Sequence, residues 1–183
     1  RVRSVDDKPL ILDVNYFLKS AVPGLTKEIA ENSIYAYLEQ ELKIVEDYIY
    51  IQKMRFGGRI RYEKDLPEDI RDIQIPSFTL QPLVENAVVH GISKKEMGGR
   101  IHLRVWRQDG DVRITVADTG AGMTEEQLVD IRNAVKERRT AKVGIGLGNI
   151  YKRVHIMYEH GDVQIYSKKD CGTVILMKIP QKA

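Results

Sequence analysis

From about position 32 to position 56, apolar residues recur at steps of three, four or seven: Ile34, Leu38, Leu42, Val45, Ile49 and Phe56. That spacing predicts a long helix with one buried stripe. Tyr37, Ile44, Tyr48 and Ile51 form a second stripe, so the helix is expected to pack against two neighbours. Gly57-Gly58 ends it. Upstream the period is lost. Ile11 to Leu18 fits either a short helix or a strand, and Pro23-Gly24 reads as a turn.

Beyond the long helix the period changes to two. Arg59 to Leu66 alternates as a strand closed by Pro67, and Ile70 to Ile75 reads as a weaker edge strand. A helix is predicted next, with Ser77 as its cap and Gly91 as its stop. Leu80, Leu83, Val84, Ala87 and Val88 form its buried side. Arg100–Trp106 and Val112–Val116 alternate on either side of Gln108-Asp109-Gly110-Asp111, the clearest hairpin in the chain. Thr124 with Gln127 three residues on marks a helix start, and that helix fades into the charged stretch 136–142. A further helix from about Gly148 to Tyr158 precedes a closing strand pair, Asp162–Ser167 and Thr173–Ile179. The expected fold class is α+β: a two-layer α/β sandwich, with a mixed, mainly antiparallel sheet covered by helices on one face and preceded by the long helix.

Composition narrows the class without naming a function. The 183 residues are 30% charged and 43% hydrophobic, as in an ordinary globular chain. A net charge of +3 is mild, and the basic pairs Lys94-Lys95, Arg138-Arg139, Lys152-Arg153 and Lys168-Lys169 are scattered. A nucleic-acid partner, which would want clustered positive charge, is therefore not expected. Cys171 is the single cysteine, so no intrachain disulfide forms and a reducing compartment fits. No apolar run approaches the ~18 residues of a membrane span, and no signal peptide opens the chain. It starts at Arg1 rather than methionine, which reads as a piece of a longer protein whose other parts hold any membrane spans.

The candidate chemistry lies in four short segments. On the helix through Leu80–Gly91 (LQPLVENAVVHG), Asn86 and His90 are four apart and share a face, with Glu85 at its edge. An amide oxygen suits Mg²⁺, which takes oxygen ligands and shares them with phosphates and water; a solvated polar face is the plainer alternative. Asp118 ends a strand and precedes Gly120 and Gly122. A carboxylate accepts hydrogen bonds only, so there it would favour adenine's amine over guanine's carbonyl. The glycines would admit a ring closely and take up positive φ. An ordinary Asx turn is the alternative. Gly144, Gly146 and Gly148 precede a helix whose N–H groups suit phosphate. That loop lacks a Rossmann βαβ context and the Lys-Ser/Thr ending of a P-loop. Gly172-Thr173 sits within the last apolar run.

In this order the segments resemble the GHKL, or Bergerat-fold, ATP-binding family of histidine kinases, gyrase, MutL and heat-shock chaperones. Leu80–Gly91 looks like its N box, Asp118–Gly122 its first glycine box, Gly144–Asn149 its second, and Gly172-Thr173 its terminal element. Glu41-Leu42, Tyr48, Ile51-Gln52 and Arg55-Phe56, followed by LQPLVENAVVHG, are similar to sensor kinases of the LytS/YesM type. The resemblance covers about residues 35–180. It implies ATP and Mg²⁺ as cofactors, with Asn86 on the metal and Asp118 reading adenine. Gly120, Gly122 and Met123 would shape the base pocket, and Thr173 would support it. Gly144, Ile145, Gly146, Leu147 and Gly148 would border the phosphates, and His90 the nucleotide. Glu85 would orient the metal's water, or activate water as in the hydrolysing branch. Residues 123–143 would form the ATP lid, from which Arg138, Arg139 or Lys142 reaches the γ-phosphate.

The departures from that pattern are informative. Pro82 stands where many histidine kinases carry an extra Asn, as it does in the LytS-type pattern. The family's acceptor motif, His followed by Phe-Leu-Phe-Asn, is absent, and none of His90, His102, His155 and His160 has those neighbours. Residues 1–34 match the family poorly. The resemblance thus implies a division at residue 57: the end of a dimerisation and phosphotransfer region at 1–57, and an ATP-binding catalytic domain at 58–183. The domain would pass the γ-phosphate to a histidine outside the chain. A response-regulator receiver domain would be its partner, with homodimerisation through upstream helices and a cytoplasmic position in a bacterial inner-membrane sensor. The rival expectations are an ATPase or serine kinase of the same fold and a degenerate interaction module.

Overall fold

A computed structural model describes residues 2–5, 8–12, 35–68, 72–136 and 145–181. The chain divides into two compact units, Arg1–Tyr35 and Ala36–Ala183. In the first, β1 (Val2–Val5) pairs antiparallel with β2 (Lys8–Leu12). The undecided Ile11–Leu18 segment thus opens in a strand, and its remainder lies outside the described residues.

The second unit is built on one five-stranded sheet of order β4-β6-β7-β9-β8. Its strands are β4 (Ile60–Asp65), β6 (Gly99–Gln108), β7 (Asp111–Asp118), β8 (Asp162–Lys168) and β9 (Gly172–Pro180). Only β4 against β6 is parallel. The sheet is therefore mixed and mainly antiparallel, as its alternation predicts. Alternation also sets which side is buried: Ile101, Leu103 and Val105 face inward on β6, Val112, Ile114 and Val116 on β7, and Ile175, Met177 and Ile179 on β9. At the β6–β7 turn Asp109 and Gly110 both have positive φ (54° and 80°), the twist-matched two-residue turn that Asp-Gly favours.

Helices cover that one face. α1 (Leu38–Phe56) buries Leu38, Leu42, Val45 and Ile49. α2 (Leu80–Asn86) widens into a π turn at Ala87–Gly91 and tightens to a 3-10 turn at Ile92–Lys94. Leu80, Leu83, Val84, Ala87 and Val88 are all buried, as the period requires. Each large side chain among them contributes about 1.5–3 kcal/mol of transfer free energy. α3 (Glu125–Lys136) opens on a reciprocal capping box: Thr124 N–H donates to Gln127 Oε1 at 2.9 Å, and Gln127 N–H to Thr124 Oγ1 at 3.2 Å. α4 (Ile145–Met157) buries Leu147, Ile150 and Val154.

Several expectations are corrected. The long helix begins at Leu38, because Tyr35–Tyr37 form a strand, β3, paired with β5 (Gln74–Pro76). Aromatic and small residues in that stretch fit either period. The weak strand expected at Ile70–Ile75 is this three-residue β5, which stays outside the large sheet. The second apolar stripe of α1 is covered only in part among the described residues: Tyr48 packs half-buried against the core, whereas Ile44 is 40% and Ile51 61% exposed. Ser77 does not cap α2; Thr79 holds the cap position and its side chain makes no cap bond. Gly91 does not stop the helix either, since the turn continues to Lys94. The helix expected from Gly148 starts at Ile145. No helix among the described residues is long and apolar enough to cross a membrane.

Candidate functional site

Asn86 sits where α2 passes into its π turn, a distortion that is common at functional sites. Asp118 is the last residue of β7, facing Thr173 of β9 across the ladder. These three meet in a cavity of about 500 Å³, within the range of small-ligand sites. His90, Gly122 and Met123 border it, as does Leu147 from the first turn of α4. Leu83, Val116, Ile131 and Ile175 supply apolar wall. The remaining polar lining comes from Lys94 beyond the π turn and from Gln127 and Asp130 on α3.

Asp118 is fixed from several sides. Gly120 N–H donates to its Oδ1 at 2.7 Å, so the Asx turn weighed as an alternative is present and coexists with the cavity position. Burial pushes its carboxyl up to about 6 from the ordinary 3.8, against the opposing pull of N–H donors from Gly120 and Thr173 and the charge of Lys95. Lys95 itself straps two loops, donating to the carbonyls of Thr119 at 3.0 Å and Asp170 at 2.8 Å.

Glycines make this arrangement possible at backbone range. A Cβ on Gly91 would lie 2.6 Å from Asp118 Oδ1, and one on Gly120 would lie 2.3 Å from Gly91 Cα. Ala121 N–H then donates to the Gly91 carbonyl at 3.1 Å. Of the two glycines expected at positive φ, only Gly122 has it (59°); Gly120 is needed for its close approach instead, and it is not on the cavity wall.

On the β8–β9 side, Ser167 is a hub. Its hydroxyl donates to the Gly172 carbonyl at 2.9 Å and accepts from Met123 N–H at 2.9 Å. With that one proton placed, the 2.9 Å contact between Ser167 and Thr173 has Thr173 as donor. The Thr173 oxygen keeps its acceptor capacity for the cavity.

The other expected residues fall less centrally. Glu85 is not on the cavity wall, and its Oε1 accepts from Gln81 Nε2 at 2.8 Å. Gly148 is buried within α4 and off the wall, while Ile145 and Gly146 form the helix start. Gly144, Arg138, Arg139 and Lys142 lie outside the described residues. Among the histidines only His90 borders the cavity; His155 stacks on Tyr151 at 3.9 Å. Gly91, Lys94, Ser167, Gln127, Asp130 and Ile131 were not singled out in the sequence as site residues. Gly91 reads in the sequence as a helix stop, whereas the contact that requires a glycine there lies 27 positions away at Asp118.

If an adenine amine donates to Asp118, as the resemblance implies, the ionised carboxylate is the stronger acceptor. ATP affinity is therefore expected to be flat above about pH 7 and to fall below about pH 6, approaching tenfold per pH unit. For the free fold the sign is opposite: a raised carboxyl favours folding below its ordinary value, and that contribution is lost as pH rises through about 6. Calorimetric titration with ATP from about pH 5 to about pH 8 checks this, with Asp118→Asn expected to flatten the profile.

Comparison with known proteins shows the family and the fold. A model described as the histidine kinase-, DNA gyrase B- and HSP90-like ATPase matches residues 72–183. A UTRA-domain model matches residues 1–51. YwpD of Bacillus subtilis (strain 168) is 36% identical over 153 residues, 83% of this chain and 52% of that protein. Sensor protein kinase HptS of Staphylococcus aureus (strain USA300) is 32% identical over 157 residues, 85% of this chain and 30% of that protein. The chain thus spans about half of one relative and under a third of the other. The catalytic domain of histidine kinase ThkA, solved nucleotide-free, superposes with a TM-score of 0.57 at 19% identity, covering 80% of this chain and 94% of that one. Full-length ShkA in complex with AMPPNP gives 0.56 at 23% identity, covering 79% and 30%. The fold is that of histidine kinase catalytic domains, and the chain belongs to the histidine kinase-, DNA gyrase B- and HSP90-like ATPase family.

Proposed function

We propose that this family member is the ATP-binding catalytic part of a sensor histidine kinase of the LytS/YesM type, and that it presents the γ-phosphate of Mg-ATP to a histidine outside the chain. The observation that carries the reading is the convergence of Asn86, Asp118 and Thr173, from three distant segments, on one cavity of about 500 Å³. Asp118 would accept from the adenine amine, with Thr173 beside it and Gly122 and Met123 against the ring. Asn86 would hold Mg²⁺, with His90 at the same edge. Among the described residues no three His, Cys, Asp or Glu come together as a metal cage. This suits a cation that takes most of its ligands from phosphate oxygens and water. When bound, Mg²⁺ would neutralise charge on the phosphates. The chain's own part is to orient the nucleotide and exclude water with Leu83, Val116, Leu147 and Ile175.

The start of α4 would face the phosphates through Gly144 and Gly146, with Gly148 buried within the helix, and Arg138, Arg139 or Lys142 would reach the γ-phosphate from the lid. α1 would be the end of a dimerisation and phosphotransfer region, giving a boundary near residue 57. The partners would be a receiver domain and a second copy joined through upstream helices, with the full-length protein a membrane sensor facing the cytoplasm. Glu85, engaged with Gln81 away from the cavity wall, fits orientation of the metal's water shell better than the base of an ATPase.

The reading is tested with γ-labelled ATP. This chain alone is expected to acquire no acid-labile phosphate, since none of its histidines stands in the acceptor motif. Labelling should appear on an added helical segment of the full-length protein that carries His-Phe-Leu-Phe-Asn. Stoichiometric phosphohistidine on His90, or fast ATP hydrolysis with no transfer to the segment, would refute the proposal.

A further inference from the structure

Glu41, three residues after Leu38 and four before Val45, lies on the flank of the buried stripe of α1 and is itself only 3% exposed, a position a carboxylate holds only with polar partners. Its carboxylate reaches from α1 to the start of α2. There it accepts three consecutive backbone N–H groups: Phe78 at 2.6 Å, Thr79 at 2.9 Å and Leu80 at 3.1 Å. These are orphan donors of a helix N-terminus, where negative charge is also favoured. The usual solution is local, and Ser77 and Thr79 are both at hand. Yet Thr79 Oγ1 donates backward to the Pro76 carbonyl, and Thr79 makes no cap bond. The cap comes instead from a residue 37–39 positions upstream.

The capped loop is held in an unusual form. Phe78 has φ of 56° and is 62% exposed as a residue, an arrangement an aromatic residue adopts only when its surroundings impose it. Arg153 of α4 donates to the carbonyls of Ser77 and Phe78, so the loop is gripped at its N–H side by α1 and at its C=O side by α4. Two turns after Glu41, Tyr48 has its hydroxyl pushed up by burial and next by the charge of Glu85. α1 and α2 are therefore tied at Glu41, and Tyr48 farther along α1 lies near enough to Glu85 of α2 to feel its charge.

We propose that Glu41 is a positioning residue of the nucleotide site: by tying the N-terminus of α2 to α1, it sets where Asn86, at the other end of that short helix, stands in the cavity. This rests on Asn86 as the Mg²⁺ ligand, and the test separates the two. ATP is titrated with and without Mg²⁺ into the parent chain, Glu41→Gln, Asn86→Ala and the double variant, each shown folded by near-ultraviolet circular dichroism. Glutamine keeps the shape but removes the charge and turns an NH₂ toward N–H donors. The gain in affinity on adding Mg²⁺ is expected to fall about tenfold in Glu41→Gln, while metal-free ATP affinity changes less than about twofold, because Asp118 is on β7. The double variant should lose no more of the gain than Asn86→Ala alone.

Equal losses with and without Mg²⁺, or additive losses in the double variant, would overturn the positioning role. A parental gain in Asn86→Ala would instead refute the metal assignment. In that event amide hydrogen exchange decides the positioning question. Glu41→Gln should speed exchange through to Asn86 and His90, and an effect confined to Phe78–Leu80 would reduce Glu41 to a local cap. If the glutamine variant does not fold, Glu41→Asp, which keeps the charge on a shorter arm, is read by the same exchange pattern.

Discussion

Replacing Asp118 by alanine is expected to weaken ATP binding about 10–100-fold, the loss of a hydrogen bond to a charged acceptor worth ~1.5–3 kcal/mol. The side chain is well placed for so large an effect. It is shielded enough for its carboxyl to rise to about 6, and Gly120, Thr173 and Lys95 bias it back toward the ionised form an amine donor needs. The fold should tolerate the change, because the free protein derives no stability at neutral pH from ionising this group. Calorimetry with ATP, alongside a urea unfolding curve, distinguishes lost recognition from lost structure. Wild-type affinity in Asp118→Ala would remove the residue from the site.

Gly172→Ala is expected to give the largest stability loss of any single methyl addition in the β7–β9 region, more than about 4 kcal/mol or outright failure to fold. Gly172 has φ of 117°, and a Cβ there would lie 1.9 Å from the Asp118 carbonyl oxygen and 2.9 Å from Thr119 Cα. Both neighbours are backbone atoms at the end of β7 and just beyond it, so neither can swing aside as a side chain would. Gly110 is the internal control. It too has positive φ (80°), yet nothing lies within 4 Å of its Cβ position. Gly110→Ala should therefore show only the conformational cost, about 1–2 kcal/mol. Matching urea midpoints for the two variants would mean that the backbone approach at Asp118 is looser than the structure has it.

Signals that act over a few residues were legible in the sequence. Asp109-Gly110 fixed the hairpin, strict alternation gave the inward faces of β6, β7 and β9, and Thr124 with Gln127 marked the start of α3. Asn86, Asp118 and Thr173 were picked out by their places in the helix segment Leu80–Gly91, the Asp-Gly segment and the Gly-Thr element, and they do line one cavity. What stayed hidden was set by contacts between segments distant in the chain. Glu41 lies on the flank of the buried stripe of α1, between Leu38 and Val45, but what lets a carboxylate be buried there is the N–H groups of Phe78, Thr79 and Leu80, far off in the sequence. Gly91 looks like a helix stop, yet its missing side chain makes room for the Asp118 carboxylate. The start of α1 was misplaced because Tyr35–Tyr37 satisfies a helical and an extended period alike, and pairing with Gln74–Pro76 decides between them. Ile44 and Ile51 form a stripe that the described residues leave uncovered, so a correct helical pattern led to an expected contact that is not present in them.

A cavity between α2, α3 and the ends of β7 and β9 that reads adenine through Asp118 must tell ATP from GTP. Titration of the unmodified chain with ATP and with GTP, in Mg²⁺ at about pH 7.5, tests it most directly. Guanine presents a carbonyl oxygen where adenine presents its amine, so two acceptors would face each other across the Asp118 carboxylate. ATP is predicted to bind at least about tenfold more tightly than GTP, with the difference collapsing in Asp118→Ala. Equal affinity for the two nucleotides in the folded parent chain would contradict the account.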